Sequence, residues 1–219
     1  MILGIDTSLG SAVAVVEPDG VVRSQTQSPD PRGHAEVVGS LIEQALAEAG
    51  AIPADITHVA AGMGPGPFTG LRVGIAAARA FALGRGVPMV PIVSHDAVAL
   101  ELLIHDALTG GYEESVDETF AVVTDARRRE FAYTLYRGLD DDGLPLPIAE
   151  PALAPRDALD RLLADAGAIR RDTERIPAGM LALAASRALA AGRALGPADA
   201  LYLRSPDVTL PAAPKRVGS

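Results

Sequence analysis

The chain has 219 residues, 48% apolar and 21% charged, enough for one large or two small domains with a sizeable core. A net charge of −9 argues against a protein that grips nucleic acid unaided, which needs a basic face. The absence of cysteine excludes disulfides, thiolate metal sites and cysteine nucleophiles, and the single lysine, Lys215 near the end, excludes a Schiff-base or phosphate-loop lysine in the folded body.

Met1 to Ile5 reads as a short apolar strand ending at Asp6. The start carries that acid and no basic region, so it is not read as a signal peptide, and no run approaches a membrane span. The expectation is a cytoplasmic protein with no membrane partner. Ser11 to Glu17 and Val21 to Thr26 read as two further strands joined by the hairpin signal Pro18-Asp19-Gly20. Asp30-Pro31 is placed to open a helix, and Val37, Val38, Leu41, Ile42, Ala45, Leu46 and Ala49 form one helical stripe that Gly50 stops.

A strand at Ile56 to Ala61 leads into Gly62-Met-Gly-Pro-Gly-Pro-Phe-Thr-Gly-Leu-Arg-Val-Gly74, which holds five glycines and two prolines. A strand, a glycine loop and a helix N-terminus can face an anion or pack closely on another chain. The loop lacks the lysine of a phosphate-binding loop, and Pro65 and Pro67 remove two donors. A tight turn with close packing is therefore the favoured reading. The helix that follows, about Gly70 to Leu83 with Thr69 as N-cap, is apolar nearly all round, so burial on two sides is expected. The sheet covers one side. The helix at 34–49 and a partner chain share the other, with Gly70, Gly74 and Ala77 small enough for close approach. Val87 to Val93 is a strand pushed to an edge by Pro88 and Pro91. Ser94 caps a helix to about Leu108.

The pattern then partly restarts. Thr119 to Thr124 ends at Asp125, and Glu130 to Arg137 is followed by the turn Asp140-Asp141-Asp142-Gly143, so Asp125 repeats Asp6 at a distance of 119 residues. Helices are expected at Pro155 to Ala166 and Pro177 to Leu195, and the tail from Ser205 is expected to be extended. The whole reads as α/β in two domains, 1–108 and a smaller, degenerate 109–219.

Few residues offer chemistry. Asp6-Thr7-Ser8 stands where actin-like proteins hold a metal–nucleotide, but such a triplet also closes a tight turn by bonding its own backbone. Arg127, Arg128 and Arg129 follow Asp125, where a phosphotransferase needs a small, open turn; a solvated arginine cluster is favoured. His34, His58, His95 and His105 contain no i, i+4 metal pair, and no nucleophile elbow is present. No cofactor and no metal site is expected.

Asp6-Thr-Ser8, His34, Gly62 to Gly74, Asp125-Ala-Arg127 and Tyr202-Leu-Arg-Ser-Pro-Asp-Val-Thr209 together resemble the TsaB (YeaZ) family, in order and over essentially the whole chain. Pro67 stands where that family usually has serine. The resemblance implies an actin-like (ASKHA, ribonuclease H-like) fold with a degenerate second domain. It implies a non-catalytic subunit of the tRNA threonylcarbamoyladenosine (t6A) complex, pairing with the catalytic paralogue TsaD, joined by the ATPase TsaE, and forming homodimers when alone. Contact with tRNA would come only through the complex. The implied interface comprises Val37, Val38, Leu41, Phe68, Thr69, Gly70, Leu71, Gly74, Ala77, Ala78 and Phe81. Asp6, Thr7 and Ser8 would be a vestigial nucleotide site. The competing reading is an ATP-dependent phosphotransferase or carbamoyl transferase using Asp6; a hydrolase ranks last.

Overall fold

The computed structural model describes residues 1–28, 30, 33–110, 118–126, 128–194 and 196–203. Pro31, Arg127, Lys215 and all of the Tyr202–Thr209 motif beyond Leu203 lie outside the described residues.

The run Ile-Leu-Gly-Ile-Asp forms strand β1 (Ile2–Asp6), buried at every residue because both faces of its sheet are covered. It pairs antiparallel with β2 (Ser11–Val16), and β2 pairs antiparallel with β3 (Val22–Ser28). On the other edge of β1 lie β4 (His58–Gly62) and then β5 (Met89–Ile92), both parallel, giving the order β3-β2-β1-β4-β5. Proline-bearing β5 sits at the edge, where a missing N–H costs least.

Three helices complete this half: α1 (His34–Ala49), α2 (Phe68–Arg85) and α3 (Ser94–Thr109). The expected order of elements holds, but the expected caps do not. α1 starts at His34 behind Gly33, with no side-chain cap, so Asp30 does not open it. α2 starts behind Pro67, whose extended backbone turns directly into the helix, and Thr69 falls inside the first turn. α3 starts behind Val93, which releases the Ser94 hydroxyl for another task.

In the second half β6 (Thr119–Asp125) pairs antiparallel with β7 (Glu130–Leu139), as expected. Three strands were not legible in the sequence: β8 (Pro145–Pro147), β9 (Ala152–Pro155) and β10 (Ala168–Asp172). The helix expected at 155–166 is shorter, α4 (Leu159–Asp165): Pro155 closes β9 by pairing with Glu130 of β7, and residues 156–158 form a turn before the helix. The last helix, α5, spans Ala178–Ala190. The second sheet runs β10-β6-β7-β8. Its core β7-β6-β10 repeats β2-β1-β4, antiparallel on one edge and parallel on the other, with a helix before each parallel strand.

The layers alternate along one direction. Leu3, Ile5, Val13, Val15 and Val59 face α1 and α2, and form one core with Leu41, Leu46, Leu71, Ile75 and Ala78. Ile2, Val16 and Ile92 face the opposite way, into a second core with Leu100, Leu181, Phe120, Val122 and Tyr136. α3 and α5 therefore lie between the two sheets. α5, on the far side of the residue-108 division, packs across β1, β2, β4 and β5. Beyond the second sheet, Ala121 and Val123 pack on Leu159 and Leu163 of α4.

Candidate functional site

The carboxyl ends of β1 and β4 and the start of α3 bring Asp6, Gly62 and Ser94 together. Asp6 is 1% exposed. Its Oδ1 accepts the Ser8 amide at 2.8 Å and the Ser8 hydroxyl at 2.5 Å, and its Oδ2 accepts the Ser94 hydroxyl at 2.5 Å. Ser94 Oγ in turn accepts the Gly64 amide at 3.0 Å, tying the glycine loop to the acid. Burial pushes the Asp6 carboxyl above its ordinary range, opposed by the bonds from Ser8 and Ser94 and by the charge of His34. A Cβ at Gly62 would overlap Asp6 Oδ2, so only glycine leaves this acid room.

Thr7 and Ser8 are engaged as firmly. Thr7 Oγ1 donates to the Gly70 carbonyl at 2.7 Å and accepts the Gly74 amide at 2.9 Å. A Cβ at Gly66 would lie 2.6 Å from Ser8 Cβ, so the glycine loop closes directly on the Asp6 turn. Gly64-Pro65 is a cis peptide. The turn-closing reading of Asp6-Thr7-Ser8 describes these bonds.

The structure also brings together a pair that the sequence did not announce. Ser11 Oγ lies 2.8 Å from His34 Nδ1, a serine–histidine contact across 23 residues. At 2% and 8% exposed, both side chains are closed to substrate. Hairpin strand β2 and a helix N-terminus meet there, and a spacing rule has no handle on that meeting.

The interface residues divide by burial. Val38, Leu41, Gly70, Leu71, Gly74 and Ala78 are buried within this chain. Gly70 and Gly74 give close approach to Thr7 and His34 of the same chain. Val37, Phe68, Ala77 and Phe81 are half-buried, and Thr69 is exposed. Outward-facing Arg72, Ala76, Ala80 and Leu83 continue that strip, with Leu83 85% exposed. Part of α2 is covered by residues that follow α5. Tyr202 stacks on Phe68 at 4.7 Å between centroids, the Arg72 guanidinium sits 3.7 Å from that ring's centre, and the Leu201 amide donates to Met63 O at 2.7 Å.

The second aspartate is different. Asp125 is exposed and takes Arg156 Nη2 at 2.5 Å. Arg128 and Arg129 hold left-handed backbone, at φ 50° and 64°, and both side chains are exposed beside an open cavity that Arg156 and Asp157 also line.

Next to Ser94, His95 is buried between Thr134 Oγ1 at 2.8 Å and Thr124 Oγ1 at 3.0 Å, and burial lowers it to about 3. Asp96 accepts the Tyr136 hydroxyl at 2.6 Å, and burial, with Glu150 nearby, raises it to about 6 despite that bond. Three consecutive residues at the start of α3 thus reach Asp6 on one sheet and β6 and β7 on the other. Among the described residues no group of three acidic or histidine side chains could hold a metal ion, and no helix is long and apolar enough to cross a membrane.

These two sheets, their repeated β2-β1-β4 core and the acid at the end of each central strand define an α/β protein of the actin-like (ASKHA) class. Residues 19–149 match the family model described as TsaD, tRNA N6-adenosine threonylcarbamoyltransferase. The chain belongs to that family, which ties it to tRNA threonylcarbamoyladenosine modification. Uncharacterized protein Rv3421c of Mycobacterium tuberculosis is 35% identical over 214 residues, covering 94% of this chain and 92% of that protein. The tRNA N6-adenosine threonylcarbamoyltransferase of Streptococcus pneumoniae is 41% identical over 107 residues, 42% of this chain but only 32% of that protein. In fold the chain is YeaZ-like: the structure of YeaZ from Pseudomonas aeruginosa superposes with a TM-score of 0.70 at 23% identity, over 92% of this chain and 99% of that one.

Proposed function

We propose that this chain is a non-catalytic subunit of the machinery that forms t6A in tRNA, acting in the cytoplasm by supporting a TsaD-like catalytic subunit. The observation that carries the reading is the state of Asp6. Both of its oxygens accept hydroxyls of this chain, and Gly62 and Gly66 of the glycine loop pack directly against Asp6 and Ser8. A carboxylate so engaged is poorly placed to hold a metal–nucleotide. The Ser11–His34 pair lends little support to alternative chemistry, because both side chains are buried.

The proposed partner surface is the outward strip of α2 with its half-buried neighbours: Thr69, Ala77, Ala80, Phe81 and Leu83, with Val37 beside them on α1. A TsaE-like ATPase joins the pair, and the same strip supports a homodimer when the chain is alone. Reconstitution tests this. Adding the chain to its TsaD-like counterpart and TsaE should form a larger assembly by light scattering and raise t6A formation. The isolated chain should show no heat of binding with Mg–ATP.

A second reading, that the chain is itself an ATP-dependent transferase, has one observation in its favour: the matched family model describes a transferase. Micromolar Mg–ATP binding that disappears in Asp6→Asn would establish it over the scaffold.

A further inference from the structure

We infer that the cleft between the two sheets binds a small organic cation, an amine or amidine carried on an apolar body. The cleft has a volume of about 650 Å³, within the range of small-molecule sites. It opens where the start of α3, β7, the β8–β9 connection, α5 and the segment after α5 meet. Leu144, Ile148, Ala184 and Leu201 make its walls apolar, and Asp96 and Glu150 bring two carboxyl groups to it.

The charge balance is what selects a cation. Asp96 Oδ1 is taken by the Tyr136 hydroxyl; no buried side-chain oxygen among the described residues lacks a partner, so Oδ2, to which no hydrogen bond runs, is open to the cleft. The groups around Asp96 do not neutralise it. His95 stays uncharged between its two threonines, Tyr136 is a neutral donor, and Glu150 adds a like charge. Arg193 lines the cleft, but its Nη1 is already held by Asp140 at 2.5 Å and Asp142 at 2.8 Å. Arg187 is turned to the Gly143 carbonyl. A carboxylate in an apolar recess with a like charge beside it is costly, and a ligand cation relieves that cost while its body covers the walls. The residues lining this cleft include neither the Asp6-Thr7-Ser8 turn nor the outer strip of α2, so the inference does not depend on the scaffold reading.

The test uses the full chain and ligand-observed NMR. Benzamidine and 2-phenylethylamine are compared with their neutral counterparts, benzamide and 2-phenylethanol. The cations should bind about tenfold or more tightly than the neutral analogues, and Asp96→Asn should lose about tenfold, as expected when one partner of a partly buried charge pair is removed. Asparagine still accepts the Tyr136 hydroxyl, which preserves the fold. Glu150→Gln, on an exposed connection, should weaken the cations alone and gives a second reading if Asp96→Asn fails to fold. Affinity should fall as pH drops through about 6, where Asp96 takes up its proton. Equal binding of neutral and cationic probes, unchanged binding in both variants, or no binding at millimolar concentration would overturn the assignment.

Discussion

Gly74 and Gly84 lie in the same helix, yet alanine at each should move stability in opposite directions. A Cβ at Gly84 meets nothing within 4 Å, whereas at Gly74 it would overlap Thr7 Oγ1 and lie 3.1 Å from Thr7 Cβ and Cγ2. Alanine in a helix interior gains about 1 kcal/mol over glycine. At Gly84 that gain stands alone. At Gly74 it is opposed by displacement of Thr7, whose hydroxyl carries bonds of 2.7 Å to the Gly70 carbonyl and 2.9 Å from the Gly74 amide. Each buried group left unpaired costs roughly 1–3 kcal/mol, so the net loss at Gly74 should be about 2–4 kcal/mol. For a chain of this size each kcal/mol moves Tm by about 2–4 °C, which puts Gly74→Ala roughly 5–15 °C below wild type and Gly84→Ala about 2–4 °C above it. Calorimetric or fluorimetric melting of the three proteins at one concentration reads this directly. Thr7→Ala added to Gly74→Ala should cost less than the two losses summed, since the first removes what the second strikes. If Gly74→Ala melts with Gly84→Ala, the close packing of Thr7 on α2 is wrong.

Ser94→Ala removes the donor to Asp6 Oδ2 and the acceptor of the Gly64 amide, and should cost about 2–3 kcal/mol in urea denaturation; an unchanged midpoint would mean that the glycine loop is not tied through Ser94. His95 and Asp96 should tilt the pH dependence of stability in opposite senses. His95, lowered to about 3, contributes stability that is present above its ordinary 6.5 and lost as pH falls, so His95→Gln should flatten the acid side. Asp96, raised to about 6, makes folding less favourable as pH rises from its ordinary 3.8, so Asp96→Asn should remove a loss between about 4 and about 6. Parallel slopes in the two variants would contradict both burial arguments. Ala80→Glu and Leu83→Glu lie on the exposed strip of α2, so they should leave Tm unchanged while reducing assembly with a TsaD-like subunit by about tenfold or more, measured by light scattering and t6A formation; full assembly in both would move the interface elsewhere.

Most of the first half was legible because its signals are local. Ile2 to Ile5 and Val13 to Val16 are too apolar to be anything but covered strands, and the stripe from Val37 to Ala49 admits one helix. Thr69 and Ser94 have the identity of N-caps, but α2 starts behind Pro67 and leaves Thr69 exposed in its first turn, while the Ser94 hydroxyl is used far from its own helix. Ser94 answers to Asp6, 88 positions away. β9 and β10 were hidden for a related reason: Ala-Leu-Ala-Pro and Ala-Ile-Arg-Arg-Asp carry no alternation and become strands only because β7 and β6 offer them edges. The glycine loop was legible as a tight turn, but which glycines face which side chains was not. That depended on Asp6, Thr7 and Ser8 arriving beneath it. The all-round apolar character of α2 predicts burial on two sides, whereas the helix is buried along Leu71, Ile75, Ala78 and Ala82 and leaves Arg72, Ala76, Ala80 and Leu83 exposed, with Tyr202 covering only Phe68 near its start.

The placement of α5 bears on how this protein is made. Gly4 lets that helix come so near that a side chain there would stand 2.5 Å from the Ala178 carbonyl, and Ala12, Ala14 and Ala178 close the remaining gap. The back wall of the first sheet is therefore delivered by residues 178–190. On the ribosome, β1 to β5 emerge long before their cover does, and a fragment cut near residue 108 keeps its rear apolar side bare. Synthesis must pass residue 190 before the earliest strands are sealed, so termination ahead of that helix leaves a sticky remnant instead of a shorter working piece.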